Sequence, residues 1–270
     1  MKADIIVTSN NSVNFNYNYL QENCRAIDFQ PSLCCFEAKT SDLDKVDNIK
    51  AAMASPNQII LALRGGAGAT RLMNQLQDLK PPSCPKIFIG YSDLTVLLNY
   101  LQKFEHIQLI HGPMAFELNS VKQIEKFQNA LSKQDVVFEQ PAKWYKQKPI
   151  GGKVIGGNLM LMVDMLGTFY EPDFQNKVLL IEEIDEAIDK LDRMFARLRD
   201  SGKLAQISGI ILGNFNNCAS KSELKILFDT YLSDLDIGIL YDVNLGHVSD
   251  SDYIHLHTDL KIDETGIYYQ

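Results

Sequence analysis

Within residues 58–101 one pattern occurs twice: an apolar run of strand length enters a glycine-containing turn, and apolar residues then resume at helical spacing. In the first copy Gln58–Leu63 runs into Arg64-Gly65-Gly66-Ala67-Gly68-Ala69-Thr70-Arg71, followed by Leu72, Met73, Leu76 and Leu79. In the second, Lys86–Ile89 meets Gly90-Tyr91-Ser92-Asp93, followed by Leu94, Leu97, Leu98 and Leu101. Successive strand–turn–helix units predict an α/β fold with a doubly wound, mostly parallel sheet. Right-handed crossovers place both turns at the same edge of that sheet. Ser92 therefore sits at a strand-to-helix turn, where a hydroxyl can stand above the carboxyl ends of the strands with helix N–H groups behind it.

The remaining chain extends the pattern. Residues 4–8 predict a first strand, and Leu43, Val46, Ile49 and Met53 mark one face of a helix that stops at Ser55-Pro56-Asn57. Ile107–Ile110 predicts a strand leading into His111-Gly112-Pro113-Met114, and Val121, Ile124, Phe127 and Leu131 a helix. Residues 132–150 are polar, carry Pro141, Pro149 and the single tryptophan, and lack a period, which predicts a linker between an N-terminal domain (1–131) and a smaller C-terminal α/β domain (151–270). In the second half, Val178–Ile181 leads directly into Glu182-Glu183, and a strand over Ile237–Val243 ends in Asn244-Leu245-Gly246-His247. Tyr253–His257 and Gly266–Tyr269 predict a hairpin-like tail.

Charge and cysteine content narrow the function. With 26 Lys and Arg against 34 Asp and Glu, the net charge of -8 offers no basic footprint for nucleic acid or an anionic membrane. No opening segment reads as a signal peptide or spanning helix, which points to the cytoplasm. Cys24, Cys34, Cys35, Cys84 and Cys218 are odd in number and lack CxxC spacing, as reduced thiols do. His255 and His257 would share one strand face, yet no third ligand accompanies them, so no metal site is expected. The glycine-rich turn lacks the spacing of a phosphate-binding loop.

A nucleophilic serine needs a base, a group that orients the base, and N–H donors for the oxyanion. Ser92, the Glu182-Glu183 pair, His247 and the Arg64–Thr70 turn are the candidates. Each has a commoner explanation. A serine ahead of an apolar helical run is usually an N-cap, a strand-end glutamate usually pairs or caps, and a loop histidine is usually solvated. Spacing does not choose between Glu182 and Glu183.

Longer strings in the same order resemble a known family. They are Arg64–Leu72, Gly90–Thr95, His111–Met114, Gly156-Gly157-Asn158-Leu159 with Leu166-Gly167-Thr168, Ile181-Glu182-Glu183 with Leu191-Asp192-Arg193-Met194, Ser208–Gly213, and Gly246-His247. Together, over roughly residues 40–262, they resemble the serine LD-carboxypeptidases of peptidase family S66, which include the muramoyltetrapeptide carboxypeptidases of murein recycling. The resemblance implies Ser92 as nucleophile, His247 as general base, Glu182 as its orienting carboxylate, and backbone N–H groups of Gly66 and Asp93 as the oxyanion site. It further implies release of terminal D-alanine from a murein stem peptide without a cofactor, and a homodimer. Two alternatives accompany it: an amidase resembling the microcin C7 self-immunity proteins, acting on aminoacyl-nucleotide analogues, and a murein-peptide binding protein without catalysis. Ala67 stands where the family usually carries an aromatic residue, the first forty residues diverge, and Val248-Ser249-Asp250 is an unusual continuation after the histidine.

Overall fold

The computed structural model describes residues 2–9, 30–33, 41–132, 143–263 and 266–269; Cys24, Cys34, Cys35 and most of the divergent first forty residues lie outside them. The chain divides into two compact units, Met1–Gln134 with Tyr253–His255, and Asp135–Asp252 with Leu256–Gln270.

Apolar strand runs form the centre of the first unit. β1 (Lys2–Ile6), β2 (Gln30–Leu33), β3 (Ile59–Ala62), β4 (Lys86–Gly90) and β5 (Ile107–His111) pair in parallel in the order β5-β4-β3-β1-β2. β3 is buried along its whole length, as expected of a strand covered on both faces. Helix α1 (Asp42–Ala54) opens with a capping box between Ser41 and Asp44 and stops at Ser55 ahead of Pro56. Val46, Ile49 and Met53 are buried, whereas Leu43 is 66% exposed, because it lies in the first turn beside the solvent-facing capping residues. The glycine-rich turn leads into α2 (Ala69–Leu72), which tightens into a 3-10 turn over Met73–Leu76. The Ser92 turn leads into α3 (Thr95–Leu101). On one sheet face Ile5, Val7, Ile59, Leu61, Ile89 and Ile110 pack with Phe127 of α4 (Val121–Leu131).

A sixth strand, Ile254–Leu256, completes this sheet beside β5. The tail at Tyr253–His257 is thus not the hairpin partner of Gly266–Tyr269 that the sequence predicts; that partner is Asp259–Asp263. Tyr253 sets the place of the tail: the hydroxyl donates to Pro113 O at 3.1 Å, and the ring meets Phe127 edge-on at 5.9 Å. His255 follows, accepting from Gln108 Nε2 at 2.8 Å and donating through Nε2 to Ala130 O at 3.0 Å. His257 lies past the strand with a φ of 56°, so the two histidines do not alternate on one face.

The second unit holds β6 (Lys143–Lys146), β7 (Ile150–Asn158), β8 (Val178–Ile184), β9 (Gly209–Asn216) and β10 (Gly238–Tyr241); after β11, the strand Ile254–Leu256 above, come β12 (Asp259–Asp263) and β13 (Gly266–Tyr269). The sheet order is β13-β12-β7-β8-β9-β10-β6, with β7 to β10 parallel and antiparallel strands at both flanks. β6 falls inside the stretch read as a linker; it pairs with β10 at the sheet edge. Helices α5 (Leu159–Asp164), α6 (Ile188–Asp200) and α7 (Lys221–Leu232) complete the unit. α6 buries Leu191, Phe195 and Leu198 at helical spacing.

Candidate active site

In the first unit, three of the ordered strings meet where parallel strands end. Gly90 of β4 lies in register with His111 of β5, and Gly112 N–H donates to Gly90 O at 3.1 Å. Ser92 takes the left-handed backbone conformation, φ 58°, a region that side-chain-bearing residues enter rarely and that often marks functional turns. It is not a helix cap. The N-cap positions of the 3-10 turn (Ser92–Leu94) and of α3 are Tyr91 and Leu94, and neither carries a side-chain cap bond. Gly65 lies so close that a Cβ there would stand 2.9 Å from both Cβ and Oγ of Ser92, which explains why glycine is needed at that position. Gly66 and Gly68 follow with φ of 141° and 142°, which aim the turn's peptide groups as residues with side chains rarely can.

Side chains that no sequence pattern singles out brace this turn. Tyr91 Oη donates to Glu117, whose other oxygen accepts from Met114 N–H at 2.9 Å. The Asp93 carboxylate is 4% exposed and accepts from Ser9 Oγ at 2.6 Å and from Ala69 N–H at 2.9 Å. Apart from Met114 with Glu117, three residues apart as in a capping box, these pairs have no local spacing signal, since they join residues 24 to 84 apart.

In the second unit the sequence left two adjacent glutamates, and their environments differ. Successive strand residues point to opposite faces, so one strand end serves two purposes. Glu182 is fully buried, and its Oε2 lies 2.8 Å from His247 Nδ1. Facing a carboxylate, Nδ1 carries the proton and the lone pair is turned to Nε2, the arrangement a general base requires. Glu182 Oε1 has no hydrogen-bond partner among the described residues, so the contact of this buried carboxylate is the one from Oε2 to the imidazole. Glu183 instead accepts from Asn158 Nδ2 (2.6 Å), Met160 N–H (2.8 Å) and its neighbour Ile184 N–H (3.0 Å), closing the start of α5. Burial lifts the Glu183 carboxyl above the usual carboxylate range, against the opposing pull of those three bonds.

A bulge explains how the histidine loop reaches Glu182. Between Ile181↔Leu212 and Glu183↔Phe215 the β8–β9 register shifts, leaving an extra residue on β9. Asn214, released from the ladder, donates its N–H to Leu245 O at 2.9 Å and its Nδ2 to Val243 O at 3.1 Å. Asn216 Nδ2 donates to His247 O at 2.9 Å, and Gly246 N–H donates to Ser251 Oγ at 3.2 Å. At Gly246, φ 105°, a Cβ would stand 2.5 Å from Glu182 Oε2. The imidazole, with 15% of its side chain exposed, is thereby fixed from both the backbone and the ring.

Of the residues singled out in the sequence, Glu182 and His247 stand together in the second unit, and Ser92, Gly66 and Asp93 belong to the first. Residues 5–112 match the LD-carboxypeptidase N-terminal domain, and residues 151–262 match the LD-carboxypeptidase C-terminal domain. The chain belongs to the LD-carboxypeptidase family. The match reaches back to residue 5, inside the stretch that reads as divergent. A putative carboxypeptidase of Synechocystis is 35% identical over 198 residues, covering 70% of this chain and 64% of the relative. A probable murein peptide carboxypeptidase of Bacillus subtilis is 31% identical over 207 residues, covering 71% and 64%. The chain thus spans just under two thirds of the length of these two relatives. In fold, it is similar to a muramoyltetrapeptide carboxypeptidase from Oxalobacter formigenes, with a TM-score of 0.80 at 22% identity over 99% of this chain and 97% of the other. It is also similar to MccF in complex with glutamyl sulfamoyl guanosine, with a TM-score of 0.84 at 19% identity over 99% and 95%.

Proposed function

We propose that this chain is a serine-type LD-carboxypeptidase that releases terminal D-alanine from a murein tetrapeptide. The observation that carries the proposal is the buried Glu182 carboxylate held against His247 Nδ1, in a family chain whose left-handed Ser92 stands at a strand-to-helix turn. Ser92 Oγ attacks the carbonyl carbon of the L residue, and its proton passes to His247 Nε2. Glu182 holds the ring tautomer and stabilises the imidazolium as it forms. Backbone N–H groups of Gly66 and Asp93 receive the oxyanion. Collapse breaks the C–N bond, the imidazolium protonates the departing D-alanine amine, and water then hydrolyses the acyl-serine by the same proton route.

Mass spectrometry of reaction mixtures tests the substrate. A murein tetrapeptide should yield tripeptide and free D-alanine, while an aminoacyl sulfamoyl nucleoside should stay intact; the reverse outcome would assign the MccF-like amidase reaction instead, and a tetrapeptide bound without turnover would assign a binding protein. Cytoplasmic location and a homodimer belong to the same proposal. Cys84 and Cys218 are free thiols, as a reducing compartment allows, and no described helix is long and apolar enough to cross a membrane. Light scattering of the purified protein should give twice the chain mass of 30.5 kDa.

A further inference from the structure

We infer that the Asp93 side chain is a positioning residue that fixes the glycine-rich turn against the nucleophile turn, so that the oxyanion donors of the two segments are held at one spacing. The inference rests on the carboxypeptidase assignment above and adds a role for a side chain where that assignment uses only the backbone N–H. Three segments far apart in sequence converge on one oxygen. Oδ2 of Asp93 accepts from Ser9 Oγ at 2.6 Å, just past β1, and from Ala69 N–H at 2.9 Å, at the start of α2.

The helix start explains why a carboxylate is placed there. α2 has Gly68 at its N-cap, with no side chain to accept an orphan N–H, and Asp93 supplies the missing acceptor from the neighbouring turn. Gly66 lies three residues before Ala69, and Asp93 directly follows Ser92, so a bond from Asp93 to Ala69 closes a ring that contains both donors and the nucleophile. The close approach of Gly65 to Ser92, which leaves no room for a Cβ, closes the ring from the other side. Burial of the carboxylate keeps water from replacing either bond. Oxyanion donors act on the transition state, so loosening this ring should lower kcat and leave KM nearly unchanged.

The test compares Asp93→Ala, Asp93→Asn and Ser9→Ala on a murein tetrapeptide, with circular dichroism melts alongside. Asp93→Ala should lose about 10² to 10³ in kcat with little change in KM. Asp93→Asn retains an oxygen that can accept from both donors and should recover kcat to within about tenfold of wild type, a smaller loss than that of one oxyanion donor. A folded Asp93→Ala with wild-type kcat, or an Asp93→Asn as slow as Asp93→Ala, would overturn the inference. If Asp93→Ala does not fold, Ser9→Ala decides: a lowered kcat at unchanged KM supports the positioning role, and an unchanged kcat overturns it. D-alanine release by Ser92→Ala would refute the underlying assignment instead, and it leaves a different signature from either Asp93 outcome.

Discussion

The two units solve the same local problem at different costs. In each, the residue directly after a candidate catalytic side chain is a buried carboxylate that accepts the N–H of a neighbouring short helix: Asp93 takes Ala69 N–H, and Glu183 takes Met160 N–H. They differ in how the preceding residue is aimed. Ser92 is presented by backbone strain, a left-handed turn against Gly65 that leaves its hydroxyl outside any helix cap. Glu182 stays within a strand and is aimed by a bulge in the strand beside it. A nucleophile must be exposed by an unusual backbone, whereas a carboxylate that only orients a histidine can remain in regular, dry structure.

Breaking each half should therefore look different. Beyond the nucleophile itself, the largest effect is expected at Glu182, where Glu182→Gln should lower kcat by about 10⁴ through the wrong imidazole tautomer, as in other serine triads, with no loss of melting temperature. Steady-state kinetics on a tetrapeptide checks it, and an equal kcat loss in Glu183→Gln would undo the distinction between the two carboxylates. Next comes Gly65→Ala, whose Cβ would displace Ser92; a misplacement of about 1 Å costs about 10² in rate, read as loss of labelling by a fluorophosphonate. Glu183→Gln should act on stability instead. An amide cannot accept on both sides, and one buried donor left unpaired costs about 1–3 kcal/mol, visible in a urea midpoint.

The pH dependence of that site has a fixed sign. Because burial raises the Glu183 carboxyl in the folded chain, the folded state holds this proton more tightly than the unfolded state. Its contribution to stability is therefore fully present below the ordinary value of 4.5 and is lost as pH rises through the folded value. The difference in melting temperature between wild type and Glu183→Gln should shrink as pH rises through that window, and a constant difference would contradict it. The smallest effect is at Cys218, whose thiol burial pushes up to about 11; iodoacetamide labelling should stay slow at neutral pH and climb toward that value.

The contrast between the units also shows what a linear sequence can carry. The doubly wound core was legible because buried parallel strands and their helices are local patterns, and Ser92 lay at a turn between two of them. Its φ was not legible, since a serine before an apolar helix has the same spelling whether it caps the helix or stands outside it. Which of Glu182 and Glu183 meets His247 was equally hidden from spacing. The bulge at Gly213-Asn214 decides it, and its cause is the docking of Leu245 and Val243 from another loop. Ser9, Glu117 and Asn216 escaped notice for the same reason: each acts through a long-range pairing, Glu117 with Tyr91, that has no period. Tyr253–His257 misled because alternation fixes a strand and not its partner sheet.

The most direct measurement is D-alanine release from a murein tetrapeptide by wild type and by Ser92→Ala, each with a melting curve. Ser92 caps no helix, so the variant should melt as the wild type does. A folded Ser92→Ala with no turnover beside an active wild type is expected; undiminished release of D-alanine by that variant would contradict Ser92 as the nucleophile.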